Sequence, residues 1–179
     1  GSSGTVDWSE TPWQEQGEAD GATGGGLAVA ADGSFRPYAL RIGGRSDLSL
    51  GRPVDLTGHS EATLLFEYRR QSIPAAARLQ VEVSSSGLGG PWTVVGTLPA
   101  GGTDAGYQNF SADVSSFAGA GMALRLHRTG ADLGAGQYYF VDDLRVAVPA
   151  TGPAGAPPLL LSDGLLAAGR SLTITYQVR

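Results

Sequence analysis

Along most of the chain, apolar and polar side chains alternate with a period of two. In residues 62–69, Leu64, Phe66 and Tyr68 fall on one side, while Thr63, Glu67 and Arg69 fall on the other. Residues 78–84 repeat the pattern, with Leu79, Val81 and Val83 against Arg78, Gln80 and Glu82; Met122, Leu124 and Leu126 do so against Arg125 and His127. Neighbouring side chains of an extended strand point to opposite faces, so this alternation predicts half-buried β-strands. Further strands are expected at 26–31, 38–42, 52–56, 92–97, 107–114 and 138–148. Turn clusters separate them, such as the Ser/Gly/Pro run 84–91 and the Gly-rich run 100–106. The chain holds 28 Gly and 10 Pro, and these residues supply the dihedrals that tight turns need. The sole helical expectation is one turn at 114–118. Many short strands, each with one apolar face, predict an all-β fold: a two-sheet antiparallel β-sandwich of jelly-roll type with a C-terminal extension strand.

A chain of 179 residues is long enough for one self-sufficient core, which the pattern places in residues 1–148. Residues 149–158 are a Pro/Gly/Ala linker, expected to be extended and semi-rigid. The remaining segment, 159–179, is too short for its own core, yet it ends in a well-patterned strand with Leu172, Ile174, Tyr176 and Val178 on one side. Such a strand must find a sheet elsewhere or stay exposed. Two roles fit it: a donor strand that adds to the sheet of a neighbouring subunit, or the beginning of a following domain.

Composition removes several function classes. The hydrophobic fraction of 41% and charged fraction of 16% describe a globular chain. Without cysteine there is neither a disulfide framework nor a thiolate metal site. The net charge of −5 opposes a nucleic-acid surface, which needs clustered positive charge. No apolar run reaches membrane-spanning length, and no secretion signal opens the chain, so a mature or excised chain is expected. His59 and His127 have no carboxylate spacing around them that would build a zinc site or a nucleophile–base pair. Ser84, Ser85 and Ser86 read as a turn, and the run Gly24–Gly26 precedes a strand rather than the helix of a phosphate loop.

Asp142 is the leading site candidate. Strand alternation puts it in phase with Phe140, Leu144 and Val146, the expected inward set, and a lone buried carboxylate is costly. It therefore needs backbone N–H donors, an arginine such as Arg41 or Arg125, or a cation. Asp142 and Asp143 are adjacent, so alternation points them to opposite faces, where they could not flank one glycosidic bond. Trp8, Trp13, Trp92, Tyr107, Tyr138 and Tyr139 serve either as core anchors or as a sugar-stacking platform. Tyr138 and Tyr139 must point opposite ways, leaving one at the surface.

An ordered series of segments carries a resemblance. It runs from Trp13-Gln14-Glu15-Gln16-Gly17-Glu18-Ala19-Asp20-Gly21 through Tyr38-Ala39-Leu40-Arg41-Ile42, Arg52-Pro53-Val54-Asp55-Leu56, residues 62–69 and 81–85, and Trp92 after a Gly-rich turn. It closes with Ser111-Ala112-Asp113-Val114-Ser115-Ser116-Phe117, residues 123–126 and Tyr138-Tyr139-Phe140-Val141-Asp142-Asp143-Leu144. Over about residues 8–148 the chain resembles bacterial secreted MAM-like and carbohydrate-binding jelly-roll modules. Its tail, 160–178, resembles the first strands of an immunoglobulin-like surface repeat. The resemblance implies an extracellular, cell-surface address and a structural Ca²⁺ near the first strand. Glu18 and Asp20, with Asp142 and Asp143, are the oxygen ligands it suggests for that hard cation. It implies no reaction. The function expected is a non-catalytic structural or adhesive module that associates with copies of itself or with neighbouring domains, head to tail by β-strand addition. The alternative is a glycan-binding module of a secreted enzyme, with polysaccharide as partner.

Overall fold

The computed structural model describes residues 13–149. The linker beyond Pro149 and the tail strand with Leu172, Ile174, Tyr176 and Val178 lie outside the described residues, as does Trp8. Ten strands follow in order: β1 (Gln14–Gln16), β2 (Leu27–Asp32), β3 (Arg36–Ile42), β4 (Ser49–Val54), β5 (Thr63–Gln71), β6 (Ala77–Ser84), β7 (Thr93–Thr97), β8 (Gln108–Asp113), β9 (Met122–Gly130) and β10 (Tyr138–Ala147). They form two five-stranded antiparallel sheets, β1-β4-β9-β6-β7 and β2-β3-β10-β5-β8. The all-β sandwich read from alternation is therefore the observed fold. A single 3-10 turn at Ser115–Phe117 occupies the place of the expected helical turn.

β5, β6 and β9 behave as their patterns require. Leu64, Phe66 and Tyr68 of β5 are buried in the interface between the sheets, as are Leu79, Val81 and Val83 of β6 and, on the neighbouring strand of that sheet, Met122, Leu124 and Leu126 of β9. Each fully buried aliphatic side chain there contributes about 1.5–3 kcal/mol. β1 was not foreseen, because three polar residues carry no periodic signal. β4 begins three residues earlier than expected, at Ser49 rather than Arg52. The stretch gained includes Gly51, where an added Cβ would stand 3.1 Å from Arg125 Cβ and from the Leu124 carbonyl oxygen. Pro53, further along, lies past the end of β1, which pairs only with Ser49, Leu50 and Gly51. One side of the strand is unpaired there, a position that tolerates proline.

β10 departs from simple alternation. Its pairing with β5 shifts between Asp142 and Arg145, and Asp143 takes a left-handed conformation, φ 51°. This is a β-bulge, in which one extra residue reverses the phase of everything after it. The inward residues are thus Tyr139 and Val141 before the bulge and Leu144 and Val146 after it. Phe140, expected inward, is buried but on the outward side of its sheet, in register with Arg69 and Arg41.

Arg128 of β9 lies in phase with the core and is fully buried. Its guanidinium donates to the carbonyl oxygens of Arg78 (2.6 Å), Ala131 (2.6 Å) and Thr129 (3.2 Å), and it sits 5.8 Å from the centre of the Tyr139 ring. Burial lowers its pKa from the usual arginine value, yet a guanidinium keeps its charge at any ordinary pH.

Candidate functional site

Three surfaces of the sandwich concentrate charged and aromatic side chains. The first lies where the chain passes from β1 to β2. The carboxylates of Glu15, Glu18 and Asp20 come together there, with one oxygen of each within 4.8 Å of the others. Glu18 accepts hydrogen bonds from the backbone N–H groups of Gly26 (2.9 Å) and Leu27 (2.5 Å). Glu15 Oε2 accepts from Gly21 N–H (3.1 Å), whereas its Oε1 is buried without a partner. Gly25, at φ +61°, makes room for the group: a Cβ there would stand 2.7 Å from both Asp20 Oδ1 and Glu18 Oε2. Among the described residues no arginine or histidine forms an ion pair with these three acids.

Of the four residues expected to gather around a cation, the structure brings Glu18 and Asp20 together and adds Glu15. Asp142 and Asp143 do not join them. Asp142 is not on the core face; it sits outside the β2-β3-β10-β5-β8 sheet, and its ion-pair partner is Arg36 (3.3 Å), not Arg41 or Arg125. Asp143 is exposed. Nor do the two acids project to opposite faces. The bulge leaves Asp143 lining a shallow outward groove with Leu65, Glu67, Asn109, Ser111 and Arg145, on the same side as Asp142. Alternation fails here because the extra residue of a bulge has no place in a period-two count.

The second surface is this outward face of the β2-β3-β10-β5-β8 sheet. Arg69 and Asp32 are buried there, 4% and 2% exposed. They form a two-pronged pair, with Arg69 Nε donating to Asp32 Oδ2 (2.6 Å) and Nη2 to Oδ1. The guanidinium is layered between the rings of Phe35 (4.4 Å) and Phe140 (5.1 Å). The side-chain hydrogen bond to Asp32 raises the pKa of Arg69 above its ordinary value. Beside this pair, Arg36 bonds Glu67 and lies 4.8 Å over the Tyr107 ring. Burial first, and the Asp32 charge second, push the Tyr107 hydroxyl far above the ordinary phenol range, so it stays neutral. Tyr138 also faces outward, edge-on to Phe140 and under Arg41, while Tyr139 is fully buried. Phe35 and Tyr38 are 46% and 59% exposed. No pattern in the sequence distinguishes them, since exposure in a turn (Phe35) or at the start of a strand (Tyr38) depends on what packs over it.

The third surface is the outward face of the β1-β4-β9-β6-β7 sheet. Glu82, nearly buried, bonds Arg125 Nε and lies 3.3 Å from His127 Nδ1. Arg125 covers the half-buried Trp92 ring at 4.3 Å. Trp13 packs against the core, with Arg52 over its ring at 5.2 Å. His59 stands in the loop between β4 and β5, and no cluster of metal-ligating groups among the described residues includes either histidine.

The sequence matches no family model and no curated protein. Solved structures do match. The carbohydrate-binding module TmCBM61, in complex with β-1,4-galactotriose, superposes with a TM-score of 0.53 at 17% identity, covering 80% of this chain and 94% of that one. The K1 cleaved adhesin domain of Lys-gingipain from Porphyromonas gingivalis W83 gives 0.54 at 16% identity, covering 76% and 90%. An arabinose-bound α-L-arabinofuranosidase gives 0.55 at 14% identity over 78% of this chain but 23% of its own. The class is thereby defined: the chain has the two-sheet jelly-roll fold that carbohydrate-binding modules and gingipain adhesin domains share. At these identities the likeness is one of fold.

Proposed function

We propose that the chain is a non-catalytic extracellular module of a bacterial surface protein or appendage, with a structural or adhesive role. One observation carries this reading. Most of the charges at the centre of the two outward faces are tied to one another in ion pairs: Asp32 to Arg69, Arg36 to Glu67 and Asp142, and Glu82 to Arg125. Cross-linked side chains stiffen a surface. A catalytic site instead needs an activated nucleophile or a base with a free position beside it, and the described residues contain no such constellation. The extracellular address and the MAM-like and immunoglobulin-like affinities rest on the sequence resemblance; the fold shared with carbohydrate-binding modules and adhesin domains supports the address and the jelly-roll part of it.

In this reading the tail strand, with Leu172, Ile174, Tyr176 and Val178, joins the sheet of a neighbouring copy and links modules head to tail. Sedimentation velocity across a wide concentration range tests it. Growing assemblies are expected, and a chain that stays monomeric throughout refutes it.

The sequence resemblance implies a structural Ca²⁺, and the residues at the β1–β2 passage fit one. They offer only hard oxygen donors, and Glu15 Oε1 is buried with no partner of its own. Glu15, Glu18 and Asp20 are the residues that would hold it, and bound there the ion would pin the passage to the edge of β2.

A second reading, a glycan-binding module, is favoured by the exposed Phe35 and Tyr38 and by the half-buried Trp92, whose ring has Arg125 over one face. Ring faces complement the apolar faces of sugars. A glycan panel probed with the wild type, W92A and F35A tests it. Binding lost in one variant supports the reading, and no binding by the wild type removes it.

A further inference from the structure

A sandwich of two open sheets has four edge strands, and here they are unequally protected. The first half of the β2 edge is covered: Val29 N–H donates to the Ala22 carbonyl oxygen (2.6 Å), and the Glu18 carboxylate caps Gly26 and Leu27; its second half pairs with β3 through a register shift. β1 is three residues long. β7 is five residues long, lies between Pro91 and Pro99, and pairs with β6 through a register shift. Shortness, proline and irregular pairing are the devices by which proteins blunt an edge. β8 has none of them. Its six residues, Gln108 to Asp113, pair with β5 in unbroken register, contain no proline or basic residue, and have no further strand on their other side among the described residues.

The side chains of β8 also present two distinct rows. Asn109 and Ser111 are exposed on the outward side. Phe110 and Ala112 point inward but are only half-buried, and Phe110 stacks on Phe66 at 4.4 Å. An incoming strand that alternates polar and apolar residues would extend both rows. Segment 172–178 has this form, with Leu172, Ile174, Tyr176 and Val178 on one side and Thr173, Thr175 and Gln177 on the other. Added antiparallel to β8, it brings Arg170 to the end of β8 that carries Asp113, an exposed acid with no basic partner among the described residues.

We propose that β8 is the acceptor edge of this module, and that its occupant is segment 172–178 of a second copy of the chain. This rests on the head-to-tail reading above and names the site where it operates. Apolar side chains of the donor cover Phe110 and Ala112, its threonines continue the Asn109–Ser111 row, and its backbone supplies the ladder that β8 lacks.

The chain has no cysteine, so engineered thiols report without background. S111C protein is mixed with full-length protein carrying T173C, T175C or Q177C, and oxidised gently; a covalent pair then forms only between molecules. At least one combination is expected to cross-link about tenfold faster than the same donors with T97C on the blunted β7 edge. I174D introduced into the donor should abolish the cross-link. Cross-linking at T97C as fast as at S111C overturns the assignment of β8, as does assembly by sedimentation without any S111C product; both leave head-to-tail association standing. A wild-type chain that is monomeric at every concentration overturns the assignment and the association together.

Discussion

Substituting Asp32 with alanine isolates the energetic role of the outward face. Asp32 is 2% exposed and Arg69 4% exposed, so D32A leaves a guanidinium charge buried between Phe35 and Phe140. The one remaining side-chain acceptor is Gln71 Oε1, 3.0 Å from Nη2. Removing one member of a buried ion pair costs about 3–5 kcal/mol, chiefly because the surviving charge has lost its partner. Replacing both members by apolar residues is often neutral or stabilising, so D32A/R69M should recover most of the loss. Urea unfolding followed by tryptophan fluorescence measures both variants. With an m-value of about 2 kcal/mol per molar, D32A should lower the midpoint by about 2 M. The double variant should return to near the wild type, giving a large coupling energy between the sites. The reasoning fails if D32A shifts the midpoint by less than about 0.5 M. It fails equally if the double variant is as unstable as D32A, since the loss would then come from the packing of Arg69 rather than its charge.

Three other outcomes follow from the same geometry. R128M should cost about 2–4 kcal/mol in the same assay, because the Arg78 and Ala131 carbonyl oxygens lose their donors in a buried place. Added Ca²⁺ should raise the melting temperature of the wild type by several degrees at about a hundredfold excess over Kd. D20N, which alters an exposed carboxylate, should remove that rise while leaving the calcium-free melting temperature nearly unchanged; an equal rise in D20N would place the ion elsewhere. Finally, the hydrogen bond from Arg70 holds the Asp104 carboxyl below the usual carboxylate range. A depressed folded-state pKa contributes stability above the unfolded value of about 4, lost as pH falls through the folded one. The stability difference between wild type and D104N should therefore be full at pH 7 and shrink on acidification below about pH 4; a difference independent of pH would refute the assignment.

Period-two alternation is a local property of the chain, and wherever the backbone stays regular it is enough to say which side of a strand is buried. Leu64, Phe66 and Tyr68, Leu79, Val81 and Val83, and Met122, Leu124 and Leu126 show this, and with the turn residues between them they define the two-layer class. What alternation cannot encode is a break in its own phase. The bulge at Asp143 turned Asp142 from an apparent core residue into an outward partner of Arg36, and set Asp142 and Asp143 on one side. Lateral strand order was equally hidden, because it depends on which distant segments pair. That order put Arg69, polar by pattern, under Phe35 and Phe140, and brought Glu15 to Glu18 and Asp20. The sequence by itself determined the class of fold. The tertiary structure alone decided which charges meet, because burial and partnership are properties of neighbours far apart along the chain.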